Sequence, residues 1–421
     1  MPDRSQTDLL ERRRRVLPES YRTFYDAPLD IESAAGVWIT ADGGRRYLDA
    51  YNNVPVIGHS NPLVREAVAA ELARSNAHTR YLDARVVEYA EGLLAHFAAP
   101  LDRVVFTCSG SEANDLALQV ARSGTGRHGV IVTANAYHGT TASIAEISPS
   151  LRPDPPAFVE RVALPTGPDN RAAQFALEVE RAVAALADRG HAPAAFIVDT
   201  ALTSDGILGS TDWLARGAAV ARAHGALIIA DEVQAGFCRL GRWWGYELHG
   251  LEPDLVTLGK PMGNGLPIGG LVGRRDLLDE FGRTQRYFNT FAGTPATIAA
   301  ANVVLHELER QDAAARVKRL GERFRSSLRD RLAPMVEPDR IRGTGLMTGI
   351  DLAASAPDGT AFTARTVNLL RERGVLLSST GADASTLKIR PPLVIGEDEL
   401  DLLVTTIADA LRAALAERAE S

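Results

Sequence analysis

The stretch VTLGKPMGNGLPIGG, residues 256–270, ends an apolar run on a lysine and then clears away side chains. Leu255, Val256, Thr257 and Leu258 show no polar alternation, as in a strand covered on both faces. Gly259 precedes Lys260, and glycines and prolines follow it. An amine at a strand's carboxyl end, where glycines admit close backbone approach, suits condensation with an aldehyde as a Schiff base. Burial there lowers a lysine pKa, freeing the amine as nucleophile and proton carrier. Taken alone, Lys260 also reads as a surface lysine at a strand end.

The same apolar pattern recurs in DRVVFTCSG (102–110), GVIVTANAYHG (129–139), AAFIVDTAL (194–202) and GALIIADEV (225–233). Helical patterns lie between them, including SEANDLALQVARSG (111–124) and TDWLARGAAVARAHG (211–225), completing βαβ units. The ends differ. VWITADGGRRYLDAYNNV (37–54) reads as a hairpin with a glycine turn. Residues 294–333 form a long helical stretch broken once, and DELDLLVTTIADALRAALAERA (398–419) is an amphipathic helix. RIRGTGLMTGIDLA (340–353), GVLLSSTG (374–381) and TLKIRPPLVI (386–395) read as strands. The expected fold is α/β: a large domain with a mostly parallel sheet flanked by helices, plus a smaller α+β domain. The expected divisions are 1–50, an N-terminal segment joining the small domain, 51–305, the large domain, and 306–421, the small domain.

A chain of 421 residues exceeds one small core, consistent with two domains. The formal charge of −7 is interspersed without a basic stripe, which argues against a nucleic-acid partner. Arg12 to Arg15 read as the solvated face of a helix stopped near Pro18. No apolar run approaches the roughly 20 residues a bilayer requires, and the first residues lack a signal-peptide core, so no membrane partner is expected. With only Cys108 and Cys238, a disulfide framework or cysteine zinc site is not expected, and a cytoplasmic location fits. The histidines show no i,i+4 ligand pairing, so no metal is expected. No G-x-G-x-x-G opens a helix after the first strand, and Pro261 spoils a phosphate-cradling run after Lys260.

Four further motifs bear on Lys260. In LIIADEVQAGF (227–237), Asp231 ends a strand, where a buried carboxylate needs a cation or donors; a protonated pyridine nitrogen would serve. Val233 would pack beneath such a ring and Gln234 would reach its phenolic oxygen. TCSGSEAND (107–115) puts Ser109, Gly110 and Ser111 at a helix N-terminus, suited to phosphate. Tyr137 or His138 of ANAYHGTT (134–141) could stack on the ring, and Thr290 of YFNTFAGTP (287–295) could offer a hydroxyl to phosphate. Each has an ordinary structural reading. Taken with the lysine, they describe a pyridoxal 5′-phosphate site.

Over nearly its whole length the chain resembles the class III aminotransferases, fold type I pyridoxal phosphate enzymes. SGSEAND (109–115), AYHG (136–139), IIADEVQAGF (228–237), residues 255–270, FNTFAGTP (288–295) and RGTGLMTGI (342–350) carry the resemblance. It implies that Lys260 holds the cofactor and shuttles the proton, with Asp231 on the ring nitrogen and Gln234 on O3′. It also implies Tyr137 on the ring, Gly110 and Ser111 on the phosphate, and Thr290 reaching a neighbouring subunit's phosphate in a homodimer with shared active sites.

Two departures concern the substrate. In VDTALTSDG (198–206), Asp199 stands where the family commonly has Glu, and Ser204 where it has a switch acid. In KIRPPL (388–393), Lys388 matches the arginine that usually clamps a carboxylate, and Arg390 falls two places on. Lysine lacks the bidentate fork. Together with FYDAPLDI (24–31), YLDAYNNVPVIGH (47–59), NAHTRYLD (76–83) and AEISP (145–149), these resemble one branch of the family. That branch holds the ethanolamine-phosphate and phosphohydroxylysine phospho-lyases, near the second type of alanine–glyoxylate aminotransferase. Tyr25, Asn53, Lys388 and Arg390 are the substrate candidates, and Arg80 and Arg239 are further cations for a leaving phosphate. The leading expectation is ping-pong transfer of an amino group from a small amine or amino acid to a keto acid or aldehyde. The alternative is elimination of phosphate and ammonia from an O-phosphorylated amine.

Overall fold

The computed structural model describes residues 4–165, 169–207, 209, 211–355 and 358–420, which include every candidate site residue. A seven-stranded sheet runs in spatial order Leu101–Thr107, Gly269–Arg274, Leu255–Leu258, Leu227–Asp231, Pro193–Asp199, Gly129–Thr133 and Val159–Val162. Pro193–Asp199, Gly129–Thr133 and Leu255–Leu258 are buried at every residue, matching their unbroken apolar sequences. Alternate side chains serve two cores. Ala195, Ile197 and Ile229 pack with the helix Gly110–Thr125, while Phe196, Val198 and Ile228 pack with Arg171–Asp188 and Trp213–Ala223.

Gly269–Arg274 is antiparallel to both neighbours. The loop from Lys260 to Ile268 is too short for the crossover of a dozen or more residues that a parallel return needs, so the chain reverses. Asn264 holds that loop: its side chain accepts from Ile57 N (3.0 Å) and donates to Gly58 O (3.0 Å).

Trp38–Ala41 and Arg45–Asp49 form the expected hairpin, its turn made by Asp42, Gly43 and Gly44 at positive φ. Ile31–Ala35 flanks it on one side, and Val375–Leu376 on the other runs parallel to Arg45–Asp49. Chain from the two ends is thereby joined in one sheet. A third, antiparallel sheet orders Ile341–Thr344, Met347–Asp351, Thr386–Ile389 and Ser378–Thr380. The long helical stretch breaks between Pro295–Arg310 and Ala313–Leu332, where Asp312 adopts φ 43°. Glu397–Ala419 buries Leu400, Leu403, Ile407, Leu411 and Ala414, the stripe its sequence period requires. Among the described residues no helix is long and apolar enough to cross a membrane.

Candidate active site

Strand register sets the site. Asp199 pairs with Asp231 and Asp231 with Thr257, which aligns their side chains along the carboxyl edge of the central sheet. Lys260 follows immediately beyond that edge. On the adjoining side, Leu101–Thr107 turns into the helix Gly110–Thr125, whose start Ser109 caps by accepting from Glu112 N (3.2 Å). Glu112 returns the favour to Cys108 N (2.6 Å). The N–H groups of Gly110 and Ser111 have no intrahelical acceptor and remain available to an anion.

One cavity of about 210 Å³ takes in Ser109, Gly110, Ser111, Tyr137, His138, Asp231, Val233, Gln234 and Lys260, with Asp199 at its wall. Close backbone approach makes it. A Cβ on Gly110 would lie 2.6 Å from Val233 Cγ1, and one on Gly259 would lie 3.1 Å from Gly110 Cα. Glycine is therefore required where the phosphate turn, Val233 and the lysine strand meet.

Lys260 is half-buried, and burial lowers its pKa, with Asp231 opposing that shift and Arg390 adding to it. Asp231 is buried and accepts three protein hydrogen bonds. His138 Nδ1 (2.7 Å) and Asn114 Nδ2 (2.9 Å) donate to Oδ2, and Val233 N (3.0 Å) donates to Oδ1. A carboxylate offers about four acceptor positions, so one remains for a cationic N–H in the cavity. Burial, then Asp231, raises the pKa of Asp199, whose carboxylate accepts from Ala201 N (2.9 Å) and Thr203 N (2.9 Å). Tyr137 is also shifted upward, by burial and then Asp231. Helix-end donors, a slot floored by Val233, a lone acceptor position and an amine whose pKa burial lowers together fit pyridoxal phosphate.

The remaining candidates are not among the residues lining that cavity, but Arg390 and Lys388 stand close to it. Arg390 is buried, donates to Gln234 Oε1 and stands 4.5 Å from the Tyr51 ring centroid, while its Nε has no partner. Arg390 thus engages Gln234 Oε1 and leaves the amide Nε2 as the donor toward the cavity. Lys388 is half-buried, and its pKa is pushed down to about 7 by burial, then by Arg390 and Lys260. Among the described residues no carboxylate lies within ion-pair distance of Lys388 or Arg390. Arg239 is fully buried, with Nη1 donating to Leu346 O (3.3 Å) and to Pro391 O. Asn53 is buried with an unpartnered Nδ2, and Tyr25 donates its hydroxyl to Leu377 O (3.1 Å). Thr290 is exposed; its neighbour Asn289 ties that loop to Glu112 (3.2 Å).

Sequence reasoning overlooked Asn114, Thr257 and Glu232. Thr257 Oγ1 donates to Asn114 Oδ1 (2.6 Å), which turns the amide nitrogen toward Asp231. Glu232 is fully buried and gathers Thr200 Oγ1 (2.7 Å), Gly245 N (2.8 Å) and Tyr246 N (2.7 Å), clamping the strand end. The available signal was polar residues on faces otherwise reserved for the core. Of Tyr137 and His138, the two residues the sequence offers to the ring, His138 lines the cavity and its Nδ1 lies 2.7 Å from Asp231 Oδ2.

The profile of the family "Aminotransferase class-III" matches residues 21–411. The chain belongs to the class III aminotransferases. Its cofactor is pyridoxal 5′-phosphate and its fold is the type I fold of these enzymes. Among its relatives is an ethanolamine-phosphate phospho-lyase homolog 1 of Caenorhabditis elegans, 32% identical, covering 97% of this chain and 94% of the relative. Another is an alanine–glyoxylate aminotransferase 2-like protein of Drosophila melanogaster, 32% identical, covering 99% and 89%. A phospholyase from Arthrobacter solved in complex with phosphoethanolamine superposes with a TM-score of 0.92 at 42% identity, covering 96% of this chain and 99% of that one. Class III members thus include both lyases and amino-group transferases.

Proposed function

We propose that this enzyme eliminates phosphate and ammonia from a small O-phosphorylated amine. The observation that carries the reading is the pair Lys388 and Arg390, two cations beside Lys260 with no carboxylate partner among the described residues. Burying unpaired cations is unfavourable unless an anion meets them. Ser204 stands where the family commonly has a switch acid, and the carboxylates whose charges act on the pair, Asp199 on both and Asp49 on Arg390, form no ion pair with either. The likeness to a phospholyase bound to phosphoethanolamine supports the same substrate class.

When bound, pyridoxal phosphate supplies an aldehyde for the substrate amine and a protonated ring that withdraws electrons. Gly110 and Ser111 N–H groups would hold its phosphate, Tyr137 and Val233 its two faces, and Asp231 its ring nitrogen. Lys260 would hold the aldehyde at rest and, once displaced by substrate, take the proton from the amine-bearing carbon. The C–O bond at the next carbon would break, with phosphate leaving on the electron pair. Lys388 and Arg390 would stabilise that charge, and Gln234 would fix the Arg390 guanidinium. Water would then release ammonia and the aldehyde product. Thr290, with exposed Tyr81, Leu82 and Phe291, supports a homodimer completing each site.

Incubation with phosphoethanolamine and no keto acid tests the proposal. Stoichiometric phosphate, ammonia and acetaldehyde, without pyridoxamine phosphate, is the expected result. No phosphate release overturns it. Amino transfer is the second reading, favoured by the complete Lys260–Asp231 apparatus and the transaminase relative. Pyridoxamine phosphate accumulating with an amino donor would establish that reading instead.

A further inference from the structure

We infer that Asp205 is a positioning residue that holds the turn carrying Tyr137 against the face of the cofactor ring. Tyr137 is the group that meets the ring, and Asp205 acts only through the backbone that presents it. The inference rests on the placement of Tyr137 in the proposed function, and it holds whether the enzyme eliminates phosphate or transfers an amino group.

The Asp205 carboxylate staples the turn where it leaves the sheet. Strand Gly129–Thr133 ends in Thr133, whose Oγ1 donates to Asp205 Oδ2 (2.7 Å), and Asn135 N donates to Oδ1 (3.0 Å). Ala136 N donates back to Thr133 O (3.2 Å), which closes the turn. Tyr137 comes next and lines the cofactor cavity. Ser150 N (3.2 Å) and Ser150 Oγ (3.0 Å) donate to Ala136 O, and His138 N donates to Ser148 Oγ (3.0 Å). Those serines lie 14 and 10 positions away, so they fix only the local shape of the loop. Asp205 reaches Asn135 across 70 positions and ties the turn to a different part of the fold.

The segment that bears Asp205 is itself held from the third sheet. Thr380 Oγ1 donates to Thr203 O (2.7 Å), and Arg342 Nη2 donates to Gly206 O (3.3 Å). Ile207 N donates to Leu202 O (2.9 Å), across a bend where Leu202 adopts φ 48°. Asp205 therefore passes the position of that sheet to the Tyr137 turn. An ionised carboxylate is acceptor-only and takes a donor on each oxygen, which is the arrangement present. Burial pushes the Asp205 carboxyl up to about 6, and Thr133 and Asn135 oppose that shift, so the group is an anion at neutral pH. A group displaced by about 1 Å at a reacting centre costs on the order of 100-fold in rate, so a small slip of the turn is measurable.

The experiment uses the cofactor-loaded enzyme, Asp205→Ala and Asp205→Asn. Asparagine keeps the shape: its oxygen accepts from Asn135 N, and its amide donates to the Thr133 hydroxyl, which also accepts. The readouts are visible circular dichroism of the bound cofactor, its dissociation constant by equilibrium dialysis, the melting temperature, and kcat and KM separately. In Asp205→Ala the visible band is expected to change and cofactor binding to weaken about tenfold, the size of one charge-assisted hydrogen bond. A fall in kcat on the order of tenfold is expected, with KM within about twofold. Asp205→Asn should recover most of each effect. An Asp205→Ala variant that melts lower but keeps the wild-type band and kcat overturns the inference, because Asp205 then serves only the fold. Failure of Asp205→Asn to recover the defects overturns it as well. If Asp205→Ala does not fold, Thr133→Val, which removes one donor, takes the same measurements with the same outcomes deciding. Tyr137→Ala separates the two assignments. An unchanged band and kcat there sink the placement of Tyr137 and the inference with it, whereas changed ones beside an unaffected Asp205→Ala sink only the role of Asp205.

Discussion

Replacing Lys388 by methionine should make the protein more stable and the enzyme worse, a combination that a structural lysine cannot produce. Methionine keeps the length of the side chain and removes the charge. Burial lowers the Lys388 pKa from the ordinary 10.5 to about 7. Its folded pKa is below its unfolded one, so the unfolded chain binds more protons between those values and stability rises with pH across that window. At pH 7 the gap opposes folding by at most about 4 kcal/mol, and screening around a half-buried amine leaves about half of that. About 2 kcal/mol corresponds to a few degrees in Tm for a chain of this size. The charge-assisted hydrogen bond to a substrate phosphate is worth about 1.5–3 kcal/mol, or roughly 10- to 150-fold in KM. Calorimetry of the cofactor-loaded protein and steady-state kinetics on phosphoethanolamine measure the two effects together. A Lys388→Met variant that melts lower and keeps its KM would refute the reasoning, because the amine would then be serving the fold.

The pH profile offers a related test. If protonated Lys388 receives the phosphate, KM should rise as pH passes above about 7, and Lys388→Arg, whose charge persists, should flatten that limb. Lys260→Ala should abolish turnover and the visible-edge absorbance of the bound cofactor; persistence of that band in the variant would remove Lys260 from its role. Gly110→Ala drives a methyl to within 2.6 Å of Val233 Cγ1, so about 1–3 kcal/mol of overpacking should appear as weaker cofactor retention, measured by equilibrium dialysis.

Much of the fold was legible in the chain because its cues are local. Apolar runs without alternation announced doubly covered strands such as Pro193–Asp199, which is buried throughout. Asp42, Gly43 and Gly44 announced the hairpin, and the stripe in residues 398–419 announced the closing helix. Lys260, Asp231, Val233 and the Ser109–Ser111 turn could be named because each sits where a strand meets a loop, and sequence marks such junctions with glycine and polar residues.

What the chain could not reveal was who meets whom across long separations. Arg390 reaches Gln234 over 156 positions, and Asn114 reaches Asp231 over 117. Neither contact leaves a periodic trace, because a buried polar residue looks the same in sequence whether it caps a turn or steadies a carboxylate. Only folding decides which donors share one oxygen, and only folding brings Lys388 and Arg390 together with no carboxylate within ion-pair distance among the described residues. Periodicity and turn chemistry act over a few residues, so sequence determined the elements and the ends of strands. Electrostatic accounting acts through space in a low-dielectric interior, so the charge balance of the site had to wait for the tertiary structure.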